Sequence, residues 1–170
     1  MTVSRTSEIG TIMKKAIFII FSLFVIACNE PDKKLQSLDS FYTNKGEFDM
    51  SRIPLIKPYE ATTGVTPRDW IVATADTNSI APTIPGTEGI YVTDSLIFVH
   101  SINTIVDYQD AREAWFVIRP KQDTVISFTN HSNYLNYLKK LGFTKEPHLY
   151  NPDNVFMSFD HNDYIDWKKL

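Results

Sequence analysis

Apolar positions along the chain change their pattern from one stretch to the next. Ala16–Ala27 is an uncharged, almost wholly apolar run that follows Lys14-Lys15 and passes directly into Asn29-Glu30-Pro31-Asp32. Residues 29–50 are mainly polar, with Phe41, Tyr42 and Phe48 as the notable exceptions near the distal end. Their composition predicts a flexible tether, which as a coil would span roughly 25 Å. From Arg52 to Gly89 the chain is punctuated by Pro54, Pro58, Pro67, Pro82 and Pro85. Proline removes a backbone donor and fixes φ, so long helices are excluded there. Ile53–Tyr59 reads as an extended edge segment, Asp69–Thr74 as a buried strand, and Asn78–Gly89 as an irregular loop.

Strands dominate the next stretch. Gly89–Thr93 and Leu96–Ser101 are β-branched and aromatic runs separated by Asp94-Ser95, and Trp115–Ile118 and Thr124–Phe128 form a second pair across residues 119–123. Short connections make both pairs antiparallel hairpins. Between Asn130 and Leu141, Tyr134, Leu135, Leu138 and Leu141 recur at helical spacing. Thr129, Asn130 and Ser132 offer N-caps, and Lys139-Lys140 suit the last turn. Gly142 fits the left-handed position beyond it, which would fold Phe143 back on Leu138. Val155–Phe159 reads as a last strand and Asp163–Lys169 as a terminal turn. The fold class expected is α+β, an antiparallel sheet of about five or six strands with the 130–141 helix packed on it. It occupies a single globular domain over residues 51–170.

Charge narrows the partners. Removing residues 1–27 would take away Arg5, Lys14, Lys15 and Glu8, leaving 14 of the 17 basic and 19 of the 20 acidic side chains, a net charge of about −5. An acidic domain without a basic stripe has no electrostatic footprint for nucleic acid. Cys28 is the only cysteine, so neither a disulfide nor a thiolate zinc cluster is available, and stability must come from a core. About 143 residues suffice for one.

Met13-Lys14-Lys15, the apolar run and Val25-Ile26-Ala27 before Cys28 are a basic n-region, an h-region and a small residue ahead of a cleavage point. The arrangement resembles a bacterial lipoprotein signal peptide with its lipobox. The resemblance implies that residues 1–27 are removed, that translation starts at Met13, and that Cys28 carries a diacylglyceryl thioether and an acylated amino terminus. A membrane-spanning helix needs about 20 apolar residues, and this run is shorter. Several acyl chains make attachment effectively permanent, since each buried CH₂ adds about 0.8 kcal/mol. Asn29 is not the aspartate of the best-known inner-membrane retention rule, which implies an outer-membrane lipoprotein facing the periplasm or the cell surface. Residues 28–50 then form the lipidated tether.

Reaction motifs are lacking. His100, His131, His148 and His161 stand at no ligand spacing from one another, and no H-E-x-x-H, G-x-S-x-G or Walker sequence occurs. No metal or cofactor is expected. His100 ends an apolar strand, where a hydrogen-bonded or solvent-facing histidine is the ordinary role. Asp160-His161-Asn162-Asp163 is the densest polar constellation, but Tyr164 at the fifth loop position and the absence of a glycine disfavour calcium. It reads as an acidic surface able to face a basic partner. Trp70 and Trp115 lie in apolar runs and belong to a core, whereas Tyr137 and Trp167 have polar neighbours. Asp160, His161, Asp163, Trp167 and Tyr137 are therefore the candidate binding surface. Asp94-Ser95-Leu96 and Asp123-Thr124-Val125 resemble a periplasmic O-glycosylation acceptor, and Asn130-His131-Ser132 fits the N-linked pattern.

The function these features imply is non-catalytic. A membrane-anchored envelope lipoprotein would use its small acidic domain to bind a protein or glycan, as an immunity-type protein or as an accessory subunit of an envelope complex. The alternative is an envelope hydrolase built from dispersed carboxylates and histidines.

Overall fold

The computed structural model describes residues 39–47, 49–63, 69–74 and 83–170, all within one compact unit. Cys28, the signal segment and residues 78–82 lie outside the described residues.

Among the described residues, eight strands form two antiparallel four-stranded sheets. The first comprises β1 (Gly46–Glu47), β2 (Met50–Pro54), β3 (Tyr59–Thr63) and β4 (Trp70–Thr74) in chain order. The second comprises β5 (Thr87–Val92), β6 (Ile97–Val106), β7 (Gln109–Arg119) and β8 (Thr124–Phe128), also in chain order. Three α-helices accompany them among the described residues: a single turn α1 (Ser40–Thr43), α2 (His131–Lys140) and α3 (Pro152–Asp160). The protein is thus mixed and mostly sheet, with two sheets where the strand count suggested one.

The division follows from residues 83–87. Ile84 exchanges both backbone hydrogen bonds with Val72 of β4 (2.8 and 2.9 Å), and two residues later the Gly86 carbonyl accepts from the Ile102 amide of β6. The chain therefore leaves the edge of one sheet and joins the edge of the other within a few residues. Gly86 permits this, because its φ is +64° and a Cβ there would lie 2.0 Å from the Ile102 carbonyl oxygen. Asn78–Gly89, expected as an irregular loop, consequently ends in paired backbone: Ile84 is buried and Thr87–Gly89 belong to β5.

One core lies between the sheets, and a second covers the outer face of the β5–β8 sheet. Ile53, Tyr59, Ala61, Trp70, Val72 and Ile84 meet Ile90, Ile97, Val99, Phe116 and Ile118, joined by Val155 and Phe159 of α3. On the other face, Phe98, Trp115 and Val117 pack with Tyr134 and Leu138 of α2. Successive strand residues point to opposite faces, so a sheet covered on both sides reads as an unbroken apolar run, and Trp115–Ile118 is one.

The α2 helix forms where its signals lie. The Asn130 side chain accepts from the Asn133 amide, and Phe143 and Gly142 donate to the Leu138 and Lys139 carbonyls at 3.1 and 3.0 Å. Gly142 sits at φ +90°, which is the Schellman arrangement, and Phe143 joins the cluster around Leu138. The expected strand at Val155–Phe159 is instead α3. Asn151 caps it through the Asp153 amide and Pro152 occupies its first turn. Val155 and Phe159, four residues apart, then share the buried face.

Folded structure also begins before residue 51. Arg52, 6% exposed, pairs with Glu60, donates to the carbonyls of Phe41 and Asn44 at 2.7 Å, and stacks over the Phe41 ring. A buried guanidinium needs all its donors satisfied, and the backbone of residues 41–44 supplies two acceptors. The part of the 28–50 segment from Asp39 onward, excluding Phe48, thus contributes α1 and β1.

Candidate functional site

A hollow of about 460 Å³ opens on the α2 face of the second sheet, lined by His100, Glu113, Trp115, Glu146, Pro147, His148 and Leu149. Its floor is set by strand register. Gly89, His100, Trp115 and Phe128 are directly paired across β5, β6, β7 and β8, so all four face the same way. Glu113, two residues before Trp115, is on that face as well.

One wall is the segment leading into α3. Tyr150 exchanges backbone hydrogen bonds with Ile90 at 2.8 and 2.9 Å, which lays residues 147–149 along the sheet edge. Gly89 makes room, because a Cβ there would stand 2.9 Å from the Leu149 Cβ. At the start of α2, outside the lining itself, His131 lies against the Trp115 ring.

Two histidine–glutamate pairs flank the indole. His100 Nε2 is 2.8 Å from Glu113 Oε1, and His131 Nε2 is 3.0 Å from Glu146 Oε1. The His100 and His131 ring centroids lie 5.3 and 4.7 Å from that of Trp115, both tilted by about 30°. His148 stands edge-on to Tyr150 at 4.8 Å. Beneath His131, Tyr134 is fully buried, and its hydroxyl has no hydrogen-bond partner among the described residues. Burial pushes that hydroxyl's pKa up, and the Glu146 charge adds to the shift. Leaving such a group unpaired costs about 1–3 kcal/mol.

A carboxylate bonded to one imidazole nitrogen fixes the ring's orientation and tautomer. The His100–Glu113 pair can therefore present an oriented imidazole and a spare carboxylate oxygen to whatever enters, and Glu146, held by His131, a second carboxylate oxygen. Neither imidazole contacts a serine or threonine hydroxyl among the described residues, so the nucleophile of a serine-type triad is not assembled there. Among the described residues no three of His, Cys, Asp and Glu stand close enough together to hold a metal ion.

The residues singled out from sequence are distributed differently. Asp160, His161 and Asp163 are exposed together at the C-terminal end of α3, where the Asp160 carbonyl accepts from Lys45 Nζ at 2.6 Å. Trp167 is half-buried against the inter-sheet core. Tyr137 belongs to the α2 face instead, tilted against the Phe128 ring with its hydroxyl accepting from Arg119 at 2.6 Å. Trp70 and Trp115 are buried as expected, and Trp70 donates to Asp153 Oδ1 at 2.7 Å. His100 is the hydrogen-bonded strand histidine that its position implied. What spacing did not disclose is its convergence with Glu113, His131, Glu146 and His148, contributed by two strands, a helix and a loop. No helix among the described residues is long and apolar enough to cross a membrane. No family model matches this chain, and comparison with curated proteins and with solved structures gave no match.

Proposed function

We propose that this chain is a lipid-anchored binding domain of the bacterial cell envelope, held at the outer membrane through Cys28, and that it recognises a protein or glycan at the hollow around Trp115. The observation that carries the reading is the convergence on one open concavity of ligand size of the His100–Glu113 pair and of Glu146, which His131 orients from behind. The lipobox supports the location, and the acidic balance of the mature chain supports a non-nucleic-acid partner. Asp160, His161 and Asp163 offer a secondary acidic contact at the end of α3. An immunity-type protein and an accessory subunit of an envelope complex are two forms of the same role.

A photo-crosslinking amino acid at His148, compared with one at the fully exposed hairpin residue Tyr108, tests the site in intact membranes. The expected result is a discrete adduct from position 148 and none from 108; equal labelling from both would overturn it. Cys28→Ser should release the protein from the membrane fraction, and retention of that variant would overturn the anchor.

One observation favours a second reading, an envelope hydrolase. The His100–Glu113 pair, open to the hollow, has the geometry of a general base for water. Turnover of envelope-derived esters or glycans that disappears in His100→Gln would establish it in place of the binder.

A further inference from the structure

We propose that the hollow takes an alkyl-ammonium or alkyl-guanidinium group, presented as the lysine or arginine side chain of a protein partner, beside the Glu113 and Glu146 carboxylates. The inference rests on the hollow being a binding site and names the chemistry that it selects. Among the described residues its lining contains two carboxylates and neither lysine nor arginine. Each carboxylate gives Oε1 to a histidine, which leaves Oε2 to accept a charge-assisted hydrogen bond. An anionic ligand would meet both carboxylates first. A bare metal ion would find no three ligands together among the described residues.

The apolar part of the lining fits the same guest. Pro147 and Leu149 form one side of the hollow, and methylene stems of basic side chains cover apolar surface while their heads stay polar. Trp115, largely covered by the histidine rings, and the exposed His148 complete the lining. The volume accommodates one long side chain with its flanking backbone. The acidity of the mature chain would steer a basic partner toward it.

The test uses the full chain in detergent micelles, isotope-labelled, with the Trp115 indole and the His148 and Leu149 amides as reporters. The probes are a capped Gly-Lys-Gly peptide, its norleucine and glutamate analogues, and spermidine. The lysine peptide is expected to shift the reporters with an affinity at least about tenfold above the norleucine peptide, a difference of about 1.4 kcal/mol. Glu113→Gln combined with Glu146→Gln should abolish that preference, and either single variant, each conservative at an exposed position, should weaken it. Equal binding of norleucine, preference for glutamate, or an undiminished lysine preference in the double variant would overturn the charge assignment while leaving a ligand-binding hollow in place. Tighter binding of spermidine than of the peptide would overturn the protein side chain as the source. Silence of the reporters toward every probe would overturn the inference, and the crosslink from position 148 then decides the binding function separately.

Discussion

Gly89→Ala probes the link between the fold and the hollow. The added Cβ would meet the Leu149 Cβ at 2.9 Å, whereas ordinary contact starts at 3.4 Å. The obstacle is the root of a side chain, so no rotamer change relieves it. Relief requires moving the 147–149 backbone by about half an ångström, and the Ile90–Tyr150 bridge pins that segment on its C-terminal side. Overpacking of this kind costs about 1–3 kcal/mol. Glycine-to-alanine replacement recovers about 0.4–1 kcal/mol by restricting the unfolded chain. Taking the centres of these ranges, the net expectation is a loss of about 1.3 kcal/mol, read in urea as a midpoint lowered by roughly 0.6 M at unchanged slope. Leu149→Ala in the same background should not rescue it, because alanine keeps the offending carbon, whereas Leu149→Gly should show a favourable coupling in a double-mutant cycle. An unchanged or raised midpoint in Gly89→Ala, or equal rescue by alanine and glycine at 149, would refute the reasoning.

Three further outcomes are expected. Arg52→Ala should destabilise by about 3 kcal/mol, because it strips a nearly buried carboxylate, Glu60, of its partner and unties the Phe41 and Asn44 carbonyls; limited proteolysis between Ser40 and Met50 should accelerate, and an unchanged cleavage rate would argue against the latch. Tyr59 is pushed up to about 12 by burial first and then by the Asp123 charge and hydrogen bond. The folded state then keeps a proton that the unfolded chain loses near pH 10, so stability is fully present below pH 10 and falls as pH rises toward 12, by up to about 1.4 kcal/mol per unit. Tyr59→Phe should flatten that decline in urea titrations, and an identical alkaline slope in both proteins would refute it. Gly142→Ala meets no atom within 4 Å but must hold φ near +90°, so it should cost about 1 kcal/mol from backbone strain alone, with Gly142→Asn milder; equal midpoints for all three would count against the left-handed cap.

Some of the fold was legible because it is written in local chemistry. Asn130, the helical spacing of Tyr134 and Leu138, Lys139-Lys140 and Gly142-Phe143 specify a start, a buried face and a stop within one stretch of chain, and α2 follows them closely. The two hairpins of the second sheet were readable for the same reason, although β6 and β7 run further than their apolar runs. They meet at Asp107-Tyr108, two non-glycine residues at positive φ, where an Asn-Gly turn would have announced the hairpin. Val155–Phe159 was ambiguous, since a short apolar run fits strand or helix, and the Asn151-Pro152-Asp153 start signal decides for helix.

The candidate site belongs to the other category. The chain by itself determined the acidic balance, the lipobox-like run before Cys28, the strand runs and one fully signposted helix, each a property of neighbouring residues. Tertiary structure alone decided that the strands divide into two sheets, that Arg52 draws residues 39–47 into the fold, and that His100, Glu113, His131, Glu146 and His148 surround Trp115. The partners in the two His–Glu pairs stand 13 and 15 residues apart in sequence. They meet only because antiparallel register, the missing side chain at Gly89 and the docking of α2 on the sheet bring separate elements to one surface. Periodicity reports which face a residue occupies, whereas proximity between faces is set by packing.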